Sequence, residues 1–256
     1  MRLSLLLSIG LLSFVAGLIV HAPAATLYGW FAPADSPVVV AGLSGTPLQG
    51  EAASLRYQQR PALSSLRWRL QPASLLRGRL AYHLQSLDPR LSLDGYAATG
   101  FGGAHLNDFK LGSGLREVLA IAGQAFLPVD GQAMLDLSQL HLRDGWPQDA
   151  NGTLRLANLA WTLARDPVVL GDFEASFDRE QDDLVALVRT VSGPLDVNGD
   201  ARLRADRRYS MHLQVRPKPD APPMVQNLVR SIGPADAQGY FHIRYEGQVP
   251  APAPAP

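Results

Sequence analysis

Two hydrophobic patterns divide this chain. From Leu3 to Val20 runs an 18-residue stretch without a single charge, and no Lys, Arg, Asp or Glu occurs between Arg2 and Asp35. As a helix it spans roughly 27 Å, which with its apolar extension to Leu27 predicts one transmembrane helix with ends at Leu3 and Val20. The second pattern has period two. Leu195, Val197, Gly199, Ala201, Leu203 and Ala205 alternate with Asp196, Asn198, Asp200, Arg202, Arg204 and Asp206, so a strand here has one apolar and one polar face. Tyr209, Met211, Leu213 and Val215 alternate in the same way with Ser210, His212, Gln214 and Arg216. Pairing Ala205 with Tyr209 across Asp206-Arg207-Arg208 puts every apolar side chain of the two strands on one face.

Similar strands are expected at 38–43, 66–70, 80–87, 134–142, 153–162, 173–177 and 239–246. Helical spacing is confined to short pieces. One is 222–232, with Val225, Leu228, Val229 and Ile232 on one side, Gly233-Pro234 as a stop and Asp220 as the cap. A second runs from Ser113 or Gly114 to about Gly123, and Leu75-Leu76 mark one further turn. The fold class is therefore mainly β: an N-terminal single transmembrane helix, then a twisted antiparallel sheet with one apolar face and a few short helices. That face needs a cover of helices, curled sheet, protein or lipid.

The only charges before the apolar run are Arg2 and the amino terminus, so the N-terminus is expected in the cytoplasm and everything after the span outside it. Tyr28, Trp30 and Phe31 follow at headgroup depth as an interfacial anchor. Ala22-Pro23-Ala24 also fits a processing site after a signal peptide; the length of the apolar core and the proline inside the triplet favour retention. The expected organisation is 1–27 cytoplasmic tip and membrane helix, 28–37 interfacial linker, 38–248 exported β-domain, and 249–256 an unstructured Pro-Ala tail.

Charge is balanced, with 23 Lys+Arg against 23 Asp+Glu, so there is no electrostatic case for a nucleic-acid partner. The absence of Cys excludes thiolate metal sites, disulfides and thiol catalysis. His21, His83, His105, His141, His212 and His242 are scattered without metal-ligand spacing, and His212 and His242, on the polar faces of their strands, are expected on solvated surface. Gly42-Leu-Ser-Gly45 fails the spacing of a nucleophile elbow and makes Ser44 a turn residue, and Gly100-Phe-Gly-Gly103 is a loop rather than a phosphate cradle. Asp178, Glu180, Asp182 and Asp183 lack the glycine and terminal Glu of a calcium loop and are expected at a hairpin tip. Asn151-Gly-Thr153 is read as a turn, and Trp68, sharing a face with Leu66 and Leu70, as core. Catalytic, metal and cofactor sites are all expected to be absent. The candidate site is an apolar groove on the sheet that includes Val197, Leu203, Met211 and Leu213.

Several phrases occur in a telling order. Gly42-Leu-Ser-Gly45-Thr46 with Gly50 precedes Trp68-Arg-Leu-Gln-Pro72 and Leu75-Leu-x-Gly78. Gly145-Trp146-Pro147 with Gly152, Leu170-Gly-Asp172, Gly193-Pro194-Leu195 and Gly233-Pro through Gly239-Tyr240 follow. Together they resemble protein N of the bacterial type II secretion system, the GspN family, over about residues 1–248. Pro47-Leu48-Gln49 departs from the family pattern. The resemblance implies a non-enzymatic inner-membrane accessory component with partners among other secretion-system proteins, and shape-setting Gly and Pro in place of catalytic residues. The architecture is also similar to AsmA-like proteins, which implies phospholipid as the alternative partner.

Overall fold

The computed structural model describes residues 17, 21–31, 36, 38–57, 60–100, 102–163 and 165–249. Apart from Gly17 the expected span Leu3–Val20 lies outside these residues, as does the tail from Pro250. Among the described residues no helix is long and apolar enough to cross a membrane.

A short helix, α1 (Ala24–Phe31), leads into a single 14-stranded sheet. Its strands are β1 (Val38–Gly45), β2 (Gln49–Tyr57), β3 (Arg60–Leu63), β4 (Leu66–Leu70), β5 (Leu80–Leu87), β6 (Leu91–Gly100) and β7 (Gly103–Gly114) in the first half. The second half has β8 (Val129–Arg143), β9 (Trp146–Trp161), β10 (Val168–Glu180), β11 (Asp183–Ser192), β12 (Leu195–Leu203), β13 (Arg208–Pro217) and β14 (Phe241–Gln248). Each strand pairs antiparallel with its sequence neighbours, except that β4 joins β2 directly and β3 pairs only β2. Among the described residues three further short helices interrupt this meander: α2 (Pro72–Leu75), α3 (Leu115–Ile121) and α4 (Pro223–Arg230).

Alternation of side chains makes one face apolar from edge to edge. Directly opposed residues share a face. The cross-strand row Trp68, Leu84, Gly95, Phe109, Leu137, Gly152, Phe177, Ala186, Ala201, Met211, Tyr245 therefore lies on one side of the sheet. The opposite face carries cross-strand ion pairs, including Arg67–Glu51 at 3.2 Å, Lys110–Asp136 at 3.4 Å and Arg216–Asp196 at 2.9 Å. These sit in water and contribute little to stability.

Register breaks curl the sheet toward its apolar side. Shifts fall at Asp94/Tyr96, Leu137/Gln139, Val169/Gly171 and Asp172/Phe173. At Gly171 and Gly193 two backbones approach so closely that a Cβ on Gly193 would lie 2.4 Å from the Gly171 Cα. The curl brings together two hairpin tips that β10 and β11 separate: the Arg207 guanidinium lies 4.7 Å from the centroid of the Trp146 ring, a cation–π contact. Helix α4 packs on the apolar face, burying Val225 (0% exposed) and Val229 against Val168, Leu170, Phe173, Leu195, Val197, Val215 and Phe241.

Four expectations are corrected here. The β12–β13 register is shifted by two residues: Leu203 faces Tyr209, Ala201 faces Met211 and Gly199 faces Leu213. Arg207 takes the left-handed position (φ 67°), which closes the loop between Arg204 and Arg208; the shift is even, so the faces are preserved. Asn151-Gly-Thr153 is strand interior, not a turn. A Cβ on Gly152 (φ 156°) would lie 2.2 Å from the Asp136 carbonyl oxygen, so β8 and β9 need glycine at this bulge. Asp220 does not cap α4. The cap position is Pro222, which has no side-chain acceptor, and Pro223 at the first helical position lacks one of the N–H groups that a helix start leaves unpaired. Ser44 lies in β1, its Oγ donating to the Glu51 carbonyl at 3.3 Å, rather than in the turn.

One buried acid ties two turns together. Asp88 (5% exposed) accepts hydrogen bonds from the Ser64 N–H at 2.8 Å, the Ser64 hydroxyl and the Arg90 N–H at 2.9 Å. Burial pushes its carboxyl up, but the Ser64 and Arg90 hydrogen bonds and the Arg90 charge outweigh it and hold the pKa below the ordinary value. Replacing Asp88 by Ala is expected to cost about 2 kcal/mol in urea unfolding, because it orphans these donors. A depressed acid contributes stability above its unfolded pKa and loses it as pH falls through the folded one. The difference between wild type and Asp88→Ala should therefore be full at pH 7 and shrink on acidification below the carboxylate range.

Candidate functional site: an open apolar cavity in the curled sheet

Helix α4 covers only one end of the apolar face. Between it and the hairpin tips lies a cavity of about 440 Å³, walled by Leu135 and Leu137 of β8, Phe177 of β10, Ala186 of β11, Leu203 of β12, Met211 of β13 and Tyr245 of β14. Its surface is almost wholly apolar. Water there meets hardly a hydrogen-bonding group on the protein, so its chemistry suits an aliphatic guest. A second apolar cavity of about 550 Å³ lies at the other end of the row, between α1 and the sheet, lined by Leu27, Tyr28, Leu43, Ala52, Trp68 and Leu84.

Of the groove residues expected from the sequence, Leu203 and Met211 line the first cavity. Leu213 is half-buried between Gly199 and Ile243, and Val197 lies under α4. The wall supplied by β8, β10 and β11 was missed. Its signal is present in the alternation of Leu135 and Leu137 with Asp136, and of Phe173, Ala175 and Phe177 with Glu174 and Ser176.

Trp68 is half-buried, borders the second cavity and donates its indole N–H to the Thr46 carbonyl at 3.1 Å, while Arg67 and Arg69 are exposed. Tyr28 is turned onto β1: its hydroxyl donates to the Val38 carbonyl at 3.3 Å and accepts from the Val40 N–H at 3.1 Å. Trp30 is 71% exposed, and the Phe31 side chain lies outside the described residues.

The motif residues mark bends. Gly42 holds a left-handed position in β1, Gly45 and Gly50 flank the β1–β2 turn, Pro72 opens α2 and Gly78 follows it. Gly145, Trp146 and Pro147 form the β8–β9 tip, Gly193, Pro194 and Leu195 turn β11 into β12, and Gly233 and Gly239 bracket the link from α4 to β14.

The histidines are less scattered than the sequence suggests, because sheet register joins residues that spacing cannot. His105 and His141 stack with centroids 4.2 Å apart. His212 Nε2 lies 3.1 Å from His242 Nδ1, and His242 Nε2 lies 2.7 Å from Asp236 Oδ2. Burial, and then the charges of His141 and Arg79, lowers the His105 pKa; the hydrogen bond from His242, with others from backbone N–H groups, lowers that of Asp236. Among the described residues no group of three or more His, Asp or Glu could hold a metal. At the β10–β11 tip, Glu180 and Asp182 are engaged by Arg202 at 3.1 Å and Arg179 at 3.4 Å.

The model of the family "Type II secretion system (T2SS), protein N" matches residues 36–244. The type II secretion system protein N of Aeromonas hydrophila is 28% identical over 249 residues, covering 96% of this chain and 98% of that protein. The protein of the same name from Vibrio cholerae serotype O1 is 24% identical over 246 residues, covering 92% and 94%. No solved structure matches. A family match spanning the whole β-sheet up to the middle of β14, with its Gly and Pro phrases at the bends that curl that sheet, means that the chain belongs to the type II secretion system protein N family.

Proposed function

We propose that this chain is a non-enzymatic accessory component of the secretion apparatus, held in the inner membrane by residues 1–27 with its N-terminus in the cytoplasm. In this reading 28–37 link to a periplasmic β-domain, 38–248, which contacts other apparatus proteins during export of folded proteins, and a Pro-Ala tail trails beyond Val249. The observation that carries the reading is the apolar cavity at Met211, Leu203 and Phe177, which the described residues leave open. An exposed apolar surface of this kind marks a docking site, and a partner's aliphatic side chains would be desolvated there without opposing polar groups.

One feature favours a second reading, an AsmA-like lipid-binding module. The apolar row continues without a break from the cavity beside α1, next to the expected membrane helix, to the cavity under the hairpin tips. Acyl chains would follow such a row. A photoreactive residue at Met211, activated in intact membranes, separates the two readings. Adducts with other apparatus proteins support docking; adducts with phospholipid alone support lipid binding and overturn it.

A further inference from the structure

The two edges of the sheet are unlike. At β1 the Val38 N–H is taken by the Ser36 hydroxyl oxygen at 3.2 Å and the Val40 N–H by Tyr28, with α1 packed alongside. The start of that edge is guarded. At β14 the ladder runs without a register shift along the whole strand. The Val249 N–H bonds the Arg207 carbonyl at 2.9 Å and fixes the alternation: Phe241, Ile243, Tyr245 and Gly247 bond inward to β13. The N–H and C=O groups of His242, Arg244 and Glu246 therefore point outward. Among the described residues nothing bonds them, and Arg244 and Glu246 form no ion pair. Tyr245, stacked on Tyr209 with centroids 5.9 Å apart, is 60% exposed. An uncapped edge of this kind is a template for another strand.

We infer that β14 pairs with β14 of a second copy of this chain about a two-fold axis at Tyr245. The strand is self-complementary in that register. Arg244 falls opposite the second copy's Glu246 and Glu246 opposite its Arg244, so two ion pairs form on the polar face. On the apolar face Tyr245 meets Tyr245, Ile243 meets Gly247 and Phe241 meets Val249. Arg244 and Glu246 both carry outward backbone groups, so the hydrogen bonds of an antiparallel ladder form in the same register. A two-fold axis normal to the sheet keeps both apolar faces on one side. The second copy's Tyr245 then borders the first copy's cavity, and the two cavities lie side by side. A closed two-fold uses the β14 edge of both copies, so pairing through this edge ends at two. The inference goes beyond the function proposed above and does not depend on which guest the cavity takes.

The test uses the full chain in mild detergent, which has no cysteine of its own. Opposed residues of a non-hydrogen-bonded pair have Cα atoms about 4.5 Å apart, within disulfide range. Tyr245→Cys should give a covalent dimer on oxidation, and Ser44→Cys on β1 should not. By native mass or light scattering, Glu246→Arg and Arg244→Glu should each weaken the dimer about tenfold, because each sets two like-charge pairs across the axis. The exchange Arg244→Glu with Glu246→Arg should restore it. A chain monomeric at every concentration, single reversals without effect, an exchange that does not restore, or a Tyr245→Cys cross-link in membranes only to a different protein would each overturn the inference.

Discussion

A chain carrying Val225→Asp should lose at least about 4 kcal/mol of stability. Val225 is wholly buried between α4 and strands β10, β12, β13 and β14, and every neighbour in that cluster is apolar. A carboxylate there is stripped of water among apolar side chains, so it is driven either to protonate or to leave with its helix. Val225→Ala removes only methyl groups and should cost about 2 kcal/mol through lost burial and the cavity left behind. Since a domain's total stability is only about 5–15 kcal/mol, the aspartate variant should show a sharply lower urea midpoint by circular dichroism, with the alanine variant between it and wild type. An aspartate variant within about 1 kcal/mol of wild type would mean that α4 does not rest on the sheet.

The same helix shows what can be read from sequence. Its apolar spacing at Val225, Leu228 and Val229 was legible because one face is buried and the other is wet; Ile232, beyond its end, is 43% exposed. For that reason Leu66–Leu70 and Leu80–Leu87 emerge from period two with their observed ends. Strands β2, β6 and β7 did not emerge, since Ala52, Ala53 and Ser54 carry little hydrophobic contrast and the breaks at Gly95 and Asp108 (φ 46°) interrupt the alternation. β11 was hidden by the acidic residues at its start and by apolar side chains on both faces, with Leu187 55% exposed.

The site was half legible for a similar reason. Leu203 and Met211 belong to the hairpin with the cleanest alternation, but closing a cavity around them requires the curl, which depends on how bulges from distant turns add up. Asn151-Gly152 illustrates the limit: local turn chemistry favours a hairpin there, yet the approach of β8 to β9 makes the glycine a strand residue. The histidine pairs are invisible for the same cause, since His212 and His242 are 30 residues apart and meet only through register.

Placing a charge in the cavity should abolish function while sparing the fold. Met211 is half-buried and lies between Ala201 and Tyr245 in the ladder, at a wall still open to water. In the free domain the carboxylate of Met211→Asp can stay hydrated, so the expected stability loss is only about 1 kcal/mol. Once an aliphatic guest seats, the same carboxylate is stripped of water with no partner. A penalty of about 3 kcal/mol weakens binding roughly 100-fold. Ser176→Asp, on the exposed polar face of β10, adds the same charge without touching the guest and should behave as wild type. The measurement is secretion of a folded exoprotein by cells carrying each variant, with membrane abundance matched. Because the penalty comes from desolvation and not from lost shape, Met211→Leu should secrete normally, which separates an occupied apolar site from a fold that merely tolerates mutation poorly. Normal secretion by Met211→Asp at wild-type abundance would show that the cavity takes no guest on which export depends.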